Sequence, residues 1–145
     1  MPEAAELSGY IMGFDFGLRR IGVAIGQKTT RTASCLETVS HGKHPDWPAI
    51  DRLVNEWKPA ILLVGLPLGA EGEETEMSGS ARRFGDSLQA RYGLTVEFAD
   101  ERLSSRAAGS HFIDQRASGN LRRKDASKLD AMAARIILEN WLQND

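Results

Sequence analysis

Three acidic residues stand at positions that point to chemistry rather than to packing. Asp15 lies at the end of the apolar segment Tyr10–Phe16, and Glu101 comes shortly after the segment 95–99. Asp130 borders the apolar stripe of the last predicted helix. Carboxylates that meet raise one another's pKa unless a cation neutralises them. Because hard oxygen ligands suit Mg²⁺ or Mn²⁺, the three residues predict a divalent metal site wherever the fold brings them together.

Each acid taken alone has a second interpretation. Asp15 could cap the turn that follows its strand. Asp100 and Glu101 could be solvated acids at the start of a helix, where the helix dipole favours negative charge. Asp130 lies three residues after Ser127 and could serve the dipole of the last helix in the same way. Because side chains alternate along a strand, we expect only one of Asp100 and Glu101 to serve the site.

The histidines and the cysteine do not form a zinc set. His41 and His44 occupy a polar loop and are expected to be surface residues, and Cys35 is the only cysteine. A lone cysteine forms no internal disulfide, which fits a reducing cytosol.

The predicted elements determine whether the acids can converge. The chain begins with three strands and then alternates helices with strands, so hairpins come first and parallel strands with right-handed crossovers follow. This order predicts the α/β class: a mixed five-stranded sheet with helices on both faces. The predicted strands are 10–16, 21–25, 32–39, 61–64 and 95–99. The predicted helices are one capped by Asp46, one ending at Gly93, a short one at 104–113, and 127–143 after a basic loop at 116–124.

Length and composition exclude several classes of protein. The chain has 145 residues, of which 41% are hydrophobic and 26% are charged. This is enough for one core and too little for the two lobes of an actin-like or sugar-kinase ATPase. No apolar run approaches the roughly 20 residues that span a bilayer, and the acidic segment 1–8 lacks the pattern of a secretory signal. We therefore expect one cytoplasmic domain over residues 1–145, without membrane contact and with residues 1–8 flexible.

The formal net charge of -2 hides an uneven distribution. Residues 102–124 contain six basic residues against one acidic residue, and two more arginines lie beside Asp15. Such a patch can neutralise phosphates and predicts salt-dependent nucleic-acid binding, although a solvated loop has the same composition. The residues predicted to contact nucleic acid are Arg19, Arg20, Arg102, Arg106, Arg122, Arg123 and Lys124.

Four blocks of the sequence resemble the bacterial YqgF family, whose members are ribonuclease-H-like nucleases also described as Holliday junction resolvases. The blocks occur in the family's order and span most of residues 9–142. They are Gly-Phe-Asp-Phe-Gly with Arg-Ile-Gly-Val-Ala (13–17 and 20–24), Val-Gly-Leu-Pro-Leu (64–68), Asp-Glu-Arg-Leu-Ser (100–104), and Lys-Leu-Asp with the helix that follows it (128–139).

The resemblance implies a ribonuclease-H-like fold in which Asp15, Glu101 and Asp130 are the metal-binding catalytic residues. It implies metal-assisted phosphodiester hydrolysis with Mg²⁺ or Mn²⁺, and a role in processing the 5′ end of precursor 16S ribosomal RNA. One departure is Ala107, where family members often carry a Glu that would complete a capping box with Ser104. This departure affects the start of a helix rather than the proposed chemistry.

Two other functions remain open at this stage. Cleavage of branched DNA uses the same fold and acids, but a resolvase cuts two strands symmetrically and so normally acts as a dimer. The sequence shows no obvious dimer patch and leaves the oligomeric state open. A non-catalytic RNA-binding or transcription-associated factor could retain the acids without using them.

Overall fold

The computed structural model describes residues 9–101 and 123–144, with the side chains of the last helix described from 129 to 143. The predictions for residues 1–8, the short helix, Arg102, Arg106 and Arg122 lie outside this part. Within it the strands are β1 (Tyr10–Phe16), β2 (Arg20–Gln27), β3 (Thr32–Ser40), β4 (Ile61–Leu66) and β5 (Thr95–Asp100). The helices are α1 (Trp47–Trp57), α2 (Glu76–Tyr92) and α3 (Arg123–Asn144).

The strands form one mixed five-stranded sheet in the order β3-β2-β1-β4-β5. The pairs β1–β2 and β2–β3 are antiparallel, whereas β1–β4 and β4–β5 are parallel. This confirms the predicted topology. The central strand β1 ends at the same edge of the sheet as the carboxyl ends of β4 and β5, which is where open α/β sheets present ligand-binding residues.

Helices cover both faces of the sheet, as predicted. On one face Met12 and Phe14 of β1 pack with side chains of α1 and α2, and on the other face Ile11 packs with α3. The strand alternation thus sends successive residues of β1 into two cores. Strand β4 is buried over most of its length, which explains its continuous apolar run.

The caps of the first two helices are encoded locally. The Asp46 side chain accepts a hydrogen bond from the backbone N–H of Ala49 and starts α1, as predicted. Thr75 and Ser78 form a capping box at the start of α2, and Gly93 adopts a left-handed conformation at its end. The predicted end at Gly93 is confirmed. No helix in the described ranges is long and apolar enough to cross a membrane.

Helix α3 corrects two predictions. It begins at Arg123, four residues before the predicted start, so Arg123 and Lys124 are helical rather than part of a loop. Its first turns lack the apolar periodicity on which the predicted start was based. The buried face only partly follows the predicted stripe of Leu129, Met132, Ala133, Ile136 and Ile137, of which Leu129 and Ile137 are buried as predicted. Met132, Ala133 and Ile136 are only half-buried, whereas Ala131, Ala134, Leu138 and Leu142 are buried. Small residues here let the helix approach the sheet closely, and a size-based pattern does not detect this.

Asp51 of α1 joins the two helices of one face. Its carboxylate accepts hydrogen bonds from Arg91 Nε (2.8 Å), Arg91 Nη2 (2.7 Å) and the Tyr92 hydroxyl (2.6 Å). The hydrogen bonds from Arg91 and then Tyr92 lower the pKa of Asp51 to about 2. Because this pKa is lower than the value of about 3.9 in the unfolded chain, the ionised Asp51 carboxylate stabilises the fold at pH values above about 3.9. This contribution is lost as the pH falls towards 2.

We therefore expect Asp51→Asn to lower the free energy of unfolding at pH 7 by about 1 kcal/mol or less, since solvent screens this partly exposed cluster. The difference from the wild type should shrink between pH 4 and about 2. Urea unfolding at several pH values measures it. A deficit that is constant over this range would contradict the assignment to charge.

Candidate active site

Asp15 lies near the end of the central strand, between two glycines on the neighbouring strands. It pairs with Gly22 of β2, and the next residue of β4 after the Phe14–Val64 pair is Gly65. A strand glycine leaves space above the sheet that another part of the chain can occupy. Both glycines use this space to bring a second acid towards Asp15.

Gly65 lets Glu101 reach across β4. A Cβ atom built on Gly65 would lie 2.6 Å from Glu101 Oε1 and 3.1 Å from its Cγ. Any larger residue at this position would therefore displace the glutamate. The Glu101 side chain passes over the glycine and shares a hydrogen bond with the Asp15 carboxyl group.

Gly22, on the strand that flanks β1 opposite β4, lets α3 pack closely against β2. A Cβ atom there would lie 1.9 Å from the Asp130 carbonyl oxygen and 2.9 Å from the Ala131 backbone nitrogen. These are backbone atoms and cannot rotate away, so the helix can occupy this position only over a glycine. The close approach places Asp130 near enough to act electrostatically on Asp15.

The carboxyl groups interact strongly. Burial raises the pKa of Asp15 well above its ordinary value, and the charge of Glu101, the hydrogen bond with Glu101 and the charge of Asp130 raise it further. Burial also raises the pKa of Glu101, while the hydrogen bond with Asp15 opposes this rise and the charge of Asp100 adds to it. The shared hydrogen bond thus favours a proton on Asp15. Two carboxyl groups in such close contact need a proton or a cation between their oxygens.

Asp130 is held by an arginine. Arg20 Nε donates a hydrogen bond of 2.6 Å to Asp130 Oδ2, and both side chains are partly exposed. The pair joins the first residue of β2 to α3 across 110 positions of the chain. Arg20, which was predicted to contact nucleic acid, thus forms an ion pair with one of the predicted metal ligands.

The donor set fits a hard divalent cation at the Asp15–Glu101 pair. Two half-buried carboxyl groups that already share a hydrogen bond offer oxygen ligands of the preferred type. Among residues 9–101 and 129–143, no three His, Cys, Asp or Glu side chains are arranged to hold a metal ion together. The structure therefore brings Asp15 and Glu101 into contact. Asp130 lies beside this pair and is bound to Arg20.

Two glycines and a histidine shape the backbone around the site. A Cβ atom on Gly13 would lie 3.2 Å from Leu138 Cβ, and one on Gly17 would lie 2.6 Å from the Arg20 carbonyl oxygen. They accommodate α3 and the tight turn. His41, expected on the surface, is half-buried, and its Nδ1 lies 2.7 Å from the Gly17 carbonyl oxygen. Arg19 is exposed in the same turn.

Two glycines in the middle of apolar strands were the available signal for the close approaches. Gly22 interrupts Ile-Gly-Val, and Gly65 interrupts Val-Gly-Leu. A glycine inside a strand marks a place where backbone or ligand comes close. The sequence does not show which distant segment fills each gap.

The comparison with family models decides the relationship. The model described as "RuvX: Holliday junction resolvase" matches residues 9–144. The chain belongs to the RuvX family. This confirms the resemblance to YqgF proteins, because RuvX and YqgF are two names of one family. The match includes Asp15, Glu101 and Asp130.

Relatives and solved structures agree with the RuvX assignment. A protein of Xanthomonas euvesicatoria pv. vesicatoria named "Putative pre-16S rRNA nuclease" is 43% identical over 98% of this chain and 94% of its own length. A protein of Nitrosococcus oceani with the same name is 46% identical over 91% and 85%. The RuvC protein of Thermus thermophilus, solved with a Holliday junction substrate, has a TM-score of 0.56 and 16% identity, covering 93% of this chain and 95% of RuvC. This likeness supports the ribonuclease-H-like fold.

Proposed function

We propose that this protein is a metal-dependent nuclease that hydrolyses phosphodiester bonds in RNA and processes the 5′ end of precursor 16S ribosomal RNA. The observation that carries the proposal is the half-buried Asp15–Glu101 carboxyl pair at the carboxyl ends of β1 and β5, with Asp130 beside it. The names of the Xanthomonas and Nitrosococcus relatives support the substrate. A lone cysteine and a ribosomal substrate both favour the cytoplasm.

Four side chains of the site would have distinct roles in this reaction. Asp15 and Glu101 would hold the cation, with Asp130 completing the set from α3. A bound Mg²⁺ or Mn²⁺ activates water and stabilises the leaving oxygen in such sites. Arg20 orients Asp130 and adds positive charge where the substrate phosphate must approach.

We assign substrate holding to the predicted basic residues around this site. Arg19 is exposed in the turn that follows β1, at the same sheet edge as Asp15. Arg102, Arg106 and Arg122 belong to the segment between β5 and α3, which begins next to Glu101, and Arg123 and Lys124 are the first two residues of α3. We expect these charges to neutralise substrate phosphates near the scissile bond, because Arg19 and Arg102 lie within a few residues of Asp15 and Glu101 in the chain.

Resolution of branched DNA is the second candidate. The description of the matching family and the likeness to RuvC favour it. Symmetric cutting of a junction would require two copies of the chain, with their acid sites facing the two strands.

A cleavage assay with purified protein separates these functions. The substrates are a precursor 16S RNA fragment and a four-way DNA junction, each incubated with Mg²⁺ and with EDTA. We expect Mg²⁺-dependent cleavage of the RNA and little cutting of the junction. Preferential cutting of the junction would favour the resolvase, and binding of RNA without turnover would favour the non-catalytic factor.

A further inference from the structure

A second concave surface lies at the same end of the sheet as Asp15 but on the opposite face. It is a cavity of about 370 Å³ between the β1–β2 turn, the loop before α1, and α2. Successive residues of β1 point to opposite faces, so Asp15 lies on the face covered by α3 while Phe16 lines this cavity. We call it the Phe16 cavity.

The floor of the Phe16 cavity is apolar and closed. Phe16 and Phe84 are buried, with their rings 5.1 Å apart. Trp47 stacks on Phe84, and the Arg91 guanidinium group lies 5.0 Å from the Trp47 ring. None of these rings therefore offers a free face to a ligand. A ligand of this cavity would be held by the polar side chains around its mouth.

Those polar side chains are basic residues and hydroxyl groups. Lys43 and His44 come from the loop before α1, and Arg83 comes from α2. Ser80 and Ser87 lie on the same row of α2 as Arg83 and also line the cavity. Arg83 Nη2 donates a hydrogen bond of 3.1 Å to Ser80 Oγ. Two positively charged side chains with hydroxyl groups beside them form a donor set that suits the oxygens of a phosphate group.

The two positive charges are not neutralised within the described part of the chain. Neither Lys43 nor Arg83 forms an ion pair with another described residue, and no acid among the described residues lines the cavity. Asp46, the acid of this loop, caps α1. By contrast, Arg82 and Arg91 are each paired with a carboxylate. Lys43 and Arg83 are therefore available to an anion from outside the chain.

Hydrogen bonds fix this cavity beside the acid site. The His41 backbone N–H donates to the Arg19 carbonyl oxygen at 2.9 Å, and His41 Nδ1 lies 2.7 Å from the Gly17 carbonyl oxygen. The loop that carries Lys43 is thus fastened to the β1–β2 turn. Because the cavity and Asp15 lie on either side of this one turn, a single polyanionic chain can contact both without any rearrangement of the protein.

We propose that Lys43 and Arg83 bind a phosphate group of the substrate backbone at the Phe16 cavity, on the face of the sheet opposite the cleavage site. Cationic contacts to phosphates give affinity and position a strand, but they do not read its bases. The proposal rests on the proposed nuclease function and deepens it. It requires the substrate to continue beyond the cut and around the β1–β2 turn, whatever its sequence there.

The test measures binding in EDTA, where a metal-dependent nuclease does not cleave. The probe is a fluorescent oligouridylate of roughly 16 nucleotides, the upper end of single-strand site sizes, followed by anisotropy with the full chain. In the variant K43Q/R83Q we expect about tenfold weaker binding and a slope of log affinity against log salt that is smaller by about 1.4, or about 0.7 for each lost phosphate contact. Both residues are exposed, so the fold should be retained.

The matched control is R31Q/K58Q, which removes the same charge from two exposed positions at the other end of the sheet. Arg31 lies in the turn between β2 and β3, and Lys58 ends α1 just before β4 begins. This variant should keep the affinity and the salt slope of the wild type. Equal losses in the two double variants would reveal only a general electrostatic attraction and would overturn the proposal, as would wild-type affinity of K43Q/R83Q.

Two further measurements separate the partner from the function. A fluorescent decaglutamate peptide should bind far more weakly than the RNA; binding as tight as that of the RNA, and lost in K43Q/R83Q, would assign the surface to an acidic protein and overturn the proposal. In the Mg²⁺ cleavage assay K43Q/R83Q should raise KM and leave kcat unchanged, because the contact lies away from the reacting bond. If the wild type cleaves RNA and K43Q/R83Q binds normally, only the phosphate contact is wrong. If affinity falls as expected but the wild type does not cleave, only the nuclease function is wrong.

Discussion

Asp15→Asn should abolish Mg²⁺-dependent cleavage while leaving the fold intact. The asparagine removes one negative charge from the half-buried carboxyl pair, so the remaining site holds a cation poorly. The loss of about 4 kcal/mol or more of transition-state stabilisation corresponds to at least about a thousandfold in rate. The same change should raise the melting temperature in EDTA, because the raised pKa of Asp15 shows that a charge there is unfavourable without a cation. Each kcal/mol that the substitution adds to the free energy of unfolding raises the melting temperature by roughly 2–4 °C in a domain of this size.

The matched control is Asp86→Asn, the same change at an exposed position of α2. It should leave the cleavage rate and the melting temperature near the wild-type values. Mg²⁺ should raise the melting temperature of the wild type and of this control but not of Asp15→Asn. Retained cleavage in a well-folded Asp15→Asn protein would refute the assignment of the metal site.

Gly22→Ala should destabilise the protein and also reduce cleavage. The new methyl group would lie 1.9 Å from the Asp130 carbonyl oxygen, so α3 must move away from β2. Overpacking against backbone of this kind costs about 3 kcal/mol. The shift would carry Asp130 away from Asp15 and strain its bond to Arg20, so we expect about a tenfold or greater loss of rate at temperatures where the variant remains folded. Urea unfolding and the cleavage assay measure the two effects.

Gly79→Ala provides the comparison for this substitution. Gly79 lies inside α2, where an added methyl group would meet only Arg83 Nη1 at 3.5 Å. Alanine is favoured over glycine inside a helix, so this variant should be more stable by about 0.5–1 kcal/mol. A Gly22→Ala protein as stable and as active as the wild type would show that α3 does not depend on the close approach.

The roles of the two glycines beside Asp15 show what a local pattern omits. The alternation of β1 and the apolar run of β4 predict the strands, because each depends on residues a few positions apart. The reason for Gly65 lies in Glu101, and the reason for Gly22 lies in the backbone of α3. These segments are distant in the chain. The same limit explains the misplaced stripe of α3, whose alanines are buried because the strand beneath them contains glycines.

The sequence by itself determined the order of elements, the mixed sheet, and the positions of Asp15 and Glu101 at the ends of their strands, since these follow from periodicity, turn residues and charge. The tertiary structure alone decided how the acids meet. It brought Asp15 and Glu101 into contact and paired Asp130 with Arg20 across 110 positions of the chain. Contacts between distant segments depend on the shape of the packed helices and sheet, and no spacing within the sequence records that shape.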